Sequence, residues 1–423
     1  MSFIDAIKLN VRRVRDLNKK ELLKLLSILF DQGFTSLVSF LTTVVLSRIL
    51  AMEDYAVFVL LMSITITILG FQRALITQPY VINYNDFKAK EVIRYFHANF
   101  IFKILFTSLF VILVPTIIWF NGSTKVLDLI FLLTFFIVFY SSFYFVKDML
   151  LSNRETLLNL KYSLFSNICL VIILTFIYIN KANNLSFYLL AGGVIYGLAY
   201  VFYNWKNRAF LRLDLSTLLP YYRLNWKVGK WIAGSNLFFT ISSQIYPWLL
   251  LWNMSKNEIA IYGVLISISS LVNPVLVSLR AYLLPIFSKI SFSKEKLMIL
   301  LKKWMVVFFI LALLLVAIGI LFGENIIELF FGSKYSGLGI LFVLPFVDQA
   351  INIFFQPIDV ALNAIKRTDV GFQMLLFRSI CALILGVILV QEYGLIGVFM
   401  TRILENMLYQ LGLFIYFKKI MKV

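Results

Sequence analysis

The sequence predicts an all-α integral membrane protein: twelve transmembrane helices in two parallel-repeat six-helix lobes around a central cavity. Three observations carry that expectation. Of 423 residues, 61% are hydrophobic, 17% aromatic and only 14% charged, whereas a soluble domain is about half apolar and a quarter charged. Apolar runs long enough to cross about 30 Å of hydrocarbon recur twelve times. A shift of 204 residues then lays the first two runs on the seventh and eighth: Gln32 on Asn236, Ser36 on Thr240, Ser39 on Ser243, Ala56 on Ala260, Leu61 on Leu265 and Ser63 on Ser267. Six spans per half is an even number, so both halves share one orientation about an axis along the membrane normal.

In chain order the spans are expected at 27–50, 55–80, 97–120, 126–147, 158–180, 185–205, 229–252, 258–288, 300–322, 336–362, 369–390 and 394–417. A basic segment, 1–26, precedes them, with Phe3, Ile4, Ile7, Val11 and Val14 on one side. It reads either as an interfacial helix or as a solvated topology anchor, and not as a signal peptide, since no small-residue cleavage site follows an apolar run. The N-lobe is expected over 27–205, a linker over 206–228, the C-lobe over 229–417 and a tail over 418–423. In the linker, Phe210, Leu213, Leu218 and Leu219 are expected to rest on the membrane surface. Pro247 should kink span seven, and Pro274 and Pro285 span eight. Gly193-x-x-x-Gly197 and Gly319-x-x-x-Gly323 suit close helix packing.

The 39 Lys+Arg against 21 Asp+Glu give a net charge of +18. With an N-terminus inside, 29 basic residues fall on the cytoplasmic side and four outside, so both termini are expected in the cytoplasm and the protein in the cell inner membrane. Topology thus absorbs most of the charge, and no soluble face remains for nucleic acid. Two cysteines and one histidine leave no metal-ligand spacing, and no P-loop occurs. Neither a cofactor nor an enzymatic activity is expected.

The junction of spans one and two, Ser47-Arg48-Ile49-Leu50-Ala51-Met52-Glu53-Asp54-Tyr55-Ala56-Val57-Phe58, resembles the "aRlLgpeeyGlf" junction of polysaccharide flippases. These belong to the superfamily that also holds the lipid II flippase and the multidrug and toxin extrusion transporters. Here Ala51-Met52 replace the usual Gly-Pro and Ala56 the usual Gly. The resemblance implies a flippase that moves undecaprenyl-diphosphate-linked oligosaccharide to the outer leaflet for O-antigen or capsule assembly. It also implies a polysaccharide polymerase and a chain-length regulator as partners.

An ionisable group inside the bilayer costs about 2.5–3.5 kcal/mol even on lenient scales, so each one is a candidate for function. Arg73, Arg280 and Arg378 lie about 12–14 Å deep at 1.5 Å per residue and are the candidate diphosphate ligands, because guanidinium forks match its paired oxygens. On the 204-residue offset Arg73 falls one turn from Arg280, which points to two arginines approaching one anion from opposite lobes. Pairing of each with a carboxylate such as Asp348 or Asp359 is the structural alternative.

Gln349, Asn352, Gln356, Asp359 and Asn363 follow steps of 3, 4, 3 and 4, a polar stripe that must face protein or water. With Gln32 and Asn236 its amides either contact sugars in the cavity or join helices. Asp348, near the midplane, and Asp359 are the candidate ion-coupling carboxylates. Arg402 is expected to neutralise Glu405 at i,i+3, and Arg48 to pair with Glu53 or Asp54. Asp31 and Lys103 are expected to snorkel to the surface. Three rivals remain: a multidrug extrusion-type antiporter coupled to cations, which would want an acidic cavity; a membrane glycosyl- or acyltransferase, which would need a catalytic outer loop; and a scaffold of the assembly complex.

Overall fold

The computed structural model describes residues 19–119, 127–207, 218–290, 293–365 and 367–422. The amphipathic positions Phe3 to Val14, and Phe210 and Leu213 of the expected linker, lie outside the described residues. All regular structure among the described residues is helical: α1 (Lys19–Ile49), α2 (Met52–Gln72), α3 (Gln78–Asn83), α4 (Ala89–Trp119), α5 (Leu127–Ser152), α6 (Thr156–Ile179), α7 (Leu185–Asn207), α8 (Leu218–Gln244), α9 (Tyr246–Asn253), α10 (Lys256–Ser270), α11 (Asn273–Ile290), α12 (Lys294–Phe331), α13 (Leu344–Ala364) and α14 (Thr368–Lys422). Lipid offers no partner to backbone N–H and C=O groups, which leaves the helix as the way to satisfy them within each span.

Among the described residues ten segments are long and apolar enough to cross a membrane, against twelve expected. Two breaks account for the difference. As one rod, the 55-residue α14 would run about 80 Å. Gly394 instead takes φ 55° and ψ −129°, and beyond it Thr401 donates to the Leu385 carbonyl at 3.4 Å. A straight helix would hold those residues about 24 Å apart. Predicted spans eleven and twelve are therefore the two arms of a tight hairpin. Span seven breaks at Ile245, with Pro247 in the first turn of α9, where the missing N–H costs the ladder nothing. In span eight, α10 ends at Ser270 and α11 begins at Asn273, ahead of Pro274, and carries Pro285 inside.

Leu218 and Leu219 of the expected linker belong to the first turn of α8. The start of this helix docks on α4. Asn225, 2% exposed, accepts from the Tyr95 hydroxyl at 2.6 Å and donates to Asn99 Oδ1 at 2.8 Å. A buried amide must find such partners or lose its hydration uncompensated.

The chain forms two compact units. The first comprises Met1–Ser39, Gln72–Phe176 and Ser186–Gly229. Its α5 and α7 approach closely because Gly193 and Gly197 leave room for the rings of Phe135 and Phe139. Between α2 and α3 the residues Arg73–Thr77 form a π-helical turn. Gly229 of α8 lies against it: a Cβ there would sit 3.0 Å from the Ala74 carbonyl oxygen.

The second unit comprises Phe40–Phe71, Ile177–Leu185 and Lys230–Val423. Leu283, Phe287, Phe308, Ile358, Ala361 and Leu413 are core residues drawn from α11 to α14. Gly319 and Gly323 of α12 receive Phe346 and Phe342, the small-residue contact expected of membrane helices.

Candidate functional site

Three of the second unit's ion pairs join α11, α13 and the two arms of α14, with graded exposure. Arg280 of α11 meets Asp359 of α13 at 3.4 Å, with side chains 48% and 26% exposed. Arg378 meets Glu405 at 3.1 Å, at 17% and 0%, one residue on each arm of α14. Arg402 meets Asp348 at 2.9 Å, at 13% and 2%. The inner two pairs are sealed. Asp348 also accepts from Asn406 Nδ2 at 3.0 Å, so both of its oxygens are bonded. The outer pair stays accessible and can change partners.

Arg280 and Asp359 line a cavity of about 400 Å³ together with Gln356, Asn363, Gln410 and Tyr409. Its wall continues to Arg367 and Phe372, at the turn between α13 and α14. Asp359 also accepts from Asn363 Nδ2 at 3.2 Å. Arg378 lies behind Tyr409, its guanidinium 5.7 Å from the ring centroid, so two of the predicted arginines flank one tyrosine.

In the first unit Arg73, at the start of the π-helical turn, makes a bidentate pair with Asp148 of α5, at 2.9 and 3.3 Å. Thr77 donates to the same carboxylate at 3.3 Å, and the Tyr144 ring lies 5.6 Å from the guanidinium. The side chains are 42% and 18% exposed. A second pair is sealed: Lys147 of α5 meets Asp31 of α1 at 3.0 Å, at 7% and 2% exposure. Asn159 at 2.9 Å and Ser163, both of α6, complete the carboxylate's shell.

Where α1 turns into α2, two helix ends cap one another. Arg48 of α1 donates to the Leu329 carbonyl at the end of α12. Lys334, just past α12, donates to the Leu50 carbonyl at 2.8 Å and the Arg48 carbonyl at 3.4 Å at the end of α1, and Tyr335 donates to the Ser47 carbonyl. The last carbonyls of a helix lack partners and carry partial negative charge, so a cation there is favourable. All of these residues lie within the second unit.

A family model for polysaccharide biosynthesis proteins matches residues 45–338. The chain belongs to that family. The fold of this polysaccharide biosynthesis protein is similar to that of lipid II flippase MurJ in an inward closed conformation, with TM-score 0.72 and 17% identity over 94% of this chain and 87% of that one. It is also similar to an inward-facing multidrug resistance MATE family transporter of the MOP superfamily, with TM-score 0.74 and 14% identity over 92% and 94% of the two chains. A point mutant of the Vibrio cholerae MATE transporter VcmN gives TM-score 0.60 and 14% identity over 96% and 97%. At such identities the likeness establishes the two-lobed transporter fold and no more. A comparison with curated proteins finds no match.

Within this family member the predicted site residues separate. Arg280, Gln356 and Asp359 share the cavity. Asn352 is drawn into a side network, donating to the Asp348 carbonyl at 3.3 Å and accepting from Gln410 at 3.4 Å. Gln349 is 7% exposed and borders a small void by Ser269 and Phe346. Asn236 packs where a Cβ on Gly70 would stand, and Gln32 is exposed on α1.

Two expected pairings and one expected depth are corrected. Arg402 and Glu405 do not neutralise one another, because each finds a partner on a neighbouring helix arm. Arg48 caps α12 rather than pairing with Glu53, which meets Lys256 at 3.9 Å. Asp31 and Lys103, 2% and 3% exposed, are buried rather than snorkelling; Lys103 donates to Ser142 and lies 4.7 Å from the Tyr200 ring centroid. Asp148, Gln410 and Tyr409 were not singled out from sequence. Asp148 fell one residue beyond the expected end of span four, whereas α5 runs on to Ser152 and carries it inside.

Proposed function

We propose that the protein flips undecaprenyl-diphosphate-linked oligosaccharide repeat units from the cytoplasmic to the outer leaflet by alternating access, for surface polysaccharide assembly. Both termini are then cytoplasmic and the membrane is the inner one, with a polymerase and a chain-length regulator downstream. The observation that carries this reading is the half-exposed Arg280 in an amide-lined cavity of the second unit. It combines an oxyanion ligand with groups that bond hydroxyls. Membership in a polysaccharide biosynthesis family and a fold like a lipid II flippase support it.

Arg73 and Arg280, both half-exposed and both held by a carboxylate that an incoming anion can displace, are the substrate contacts. Arg378 steadies Tyr409 from behind. Gln356 contacts sugar, whereas Gln349, Asn352, Asn236 and Gln32 serve helix packing or the approach path. Of the two candidate coupling carboxylates, Asp359 is the one open to exchange. Asp348 has both oxygens bonded.

The test is replacement of Arg73 and Arg280, singly, by Ala and by Lys in a strain that depends on this protein for surface polysaccharide. Loss of polymer with Ala at normal membrane levels, and partial return with Lys, is expected. Full-length polymer from both Ala variants would refute the assignment. The MATE-type antiporter is the second reading, favoured by the equally close fold. It would show as cation-driven drug efflux by the purified protein in liposomes, without lipid flipping.

A further inference from the structure

The cavity of the second unit is balanced in charge before anything enters it. Two guanidiniums line it, and each already faces a carboxylate: Arg280 meets Asp359 at 3.4 Å and Arg367 meets Asp369 at 2.9 Å. A diphosphate brings at least two negative charges and would find no uncompensated cation here. A single carboxylate that takes the place of Asp359 on Arg280 adds one negative charge to the cavity, at most half of what a diphosphate would add. Asp359, once displaced, keeps the Asn363 amide at 3.2 Å as a donor.

The polar residues of the remaining lining are suited to hydroxyls rather than to more charge, beside the apolar Leu362, Leu375 and Leu413. Gln410 is 6% exposed, its Nε2 donates to Asn352 at 3.4 Å, and its Oε1 is buried with no hydrogen-bond partner. A buried acceptor in that state has given up its hydration without compensation unless a donor arrives. Gln356 reaches the Leu276 carbonyl only at 3.5 Å, a bond long enough to yield to a better one. Tyr409 adds an aromatic face. The volume, about 400 Å³, lies at the small end of the ligand-pocket range and has room for a sugar ring.

We propose that this cavity is a monosaccharide subsite selective for a sugar bearing a carboxylate. Asp359 is the built-in occupant of Arg280 that the sugar's carboxylate replaces, and Gln410 Oε1 accepts from a sugar hydroxyl. The inference rests on the flippase reading only for the source of that sugar, an acidic residue of the lipid-linked glycan.

The test is saturation-transfer NMR on the full chain in lipid nanodiscs, with D-glucuronate, D-glucose and inorganic pyrophosphate as probes. Glucuronate should bind at least tenfold more tightly than glucose. Arg280→Ala should abolish the difference and Arg280→Lys restore part of it. Asp359→Asn, which removes the built-in competitor, should tighten glucuronate at least threefold. A misfolded variant cannot produce that gain, so this arm separates the proposal from loss of structure. Equal binding of glucuronate and glucose, or weaker binding by Asp359→Asn, overturns it. So does Arg280-dependent pyrophosphate binding in preference to glucuronate, which makes the site a diphosphate site. Failure of the chain to deliver polymer in cells would sink the flippase reading and leave the NMR result standing. Glucuronate binding unaffected by Arg280→Ala would do the reverse.

Discussion

Lys147→Met is the perturbation whose outcome the structure determines most tightly. Asp31 is 2% exposed and receives three side-chain donors: Lys147, Asn159 and Ser163. Met keeps the length of the lysine stem and removes the ammonium. Two neutral donors remain, and a carboxylate stays buried without a counter-charge. Breaking one side of such a pair costs about 3–5 kcal/mol. Because Asp31, Lys147 and Asn159 stand on α1, α5 and α6, the loss loosens three helices together. The companion double variant, Asp31→Asn with Lys147→Met, removes both charges and keeps the shape, so it should recover to within about 1 kcal/mol of the parent, since a buried pair and a matched neutral pair are often equivalent. Reversible unfolding of the full chain in detergent by denaturant titration measures both. A single variant within about 1 kcal/mol of the parent, or a double no better than the single, would refute the reasoning that the pair is sealed.

Two further outcomes follow from other residues. Gly394→Ala places a Cβ at φ 55°, 3.3 Å from Glu258 Oε2; a cost of about 1–3 kcal/mol should appear in the same titration, whereas Gly371→Ala, with open space around it, should be neutral. Joint Arg48→Met and Lys334→Met removes both cross-caps, each worth about 0.3–1 kcal/mol at a partly exposed helix end, so spin labels at positions 52 and 336 should show a several-fold larger population of longer distances.

Much of the candidate site was legible in the residues. Arg280, Gln356 and Asp359 stood out because polar groups are rare in apolar runs, and the 3,4 spacing of Gln356, Asp359 and Asn363 put them on one face of α13. The pairing of Arg280 with Asp359 was among the alternatives the sequence offered, but the partners of Arg73 and Arg378 were not legible. Asp148 is 75 residues from Arg73 and Glu405 is 27 from Arg378, and neither separation follows from helical periodicity. Depth was misjudged for Asp31 and Lys103 for a related reason. Counting residues from a helix end measures distance along the bilayer normal and says nothing about which neighbouring helix covers the side chain.

By itself, then, the sequence determined the membrane fold. Its apolar runs have one outcome in lipid, where unsatisfied backbone groups are too costly for any open structure, and prolines and glycines mark where those runs break. Which cation meets which carboxylate was decided only by tertiary structure. A guanidinium at helical position i can face any of several neighbours, and helix rotation and an interaxial distance of about 8–10 Å select one. That selection sealed Arg402 on Asp348 and Arg378 on Glu405, and left Arg280 and Asp359 open to an exchange of partners.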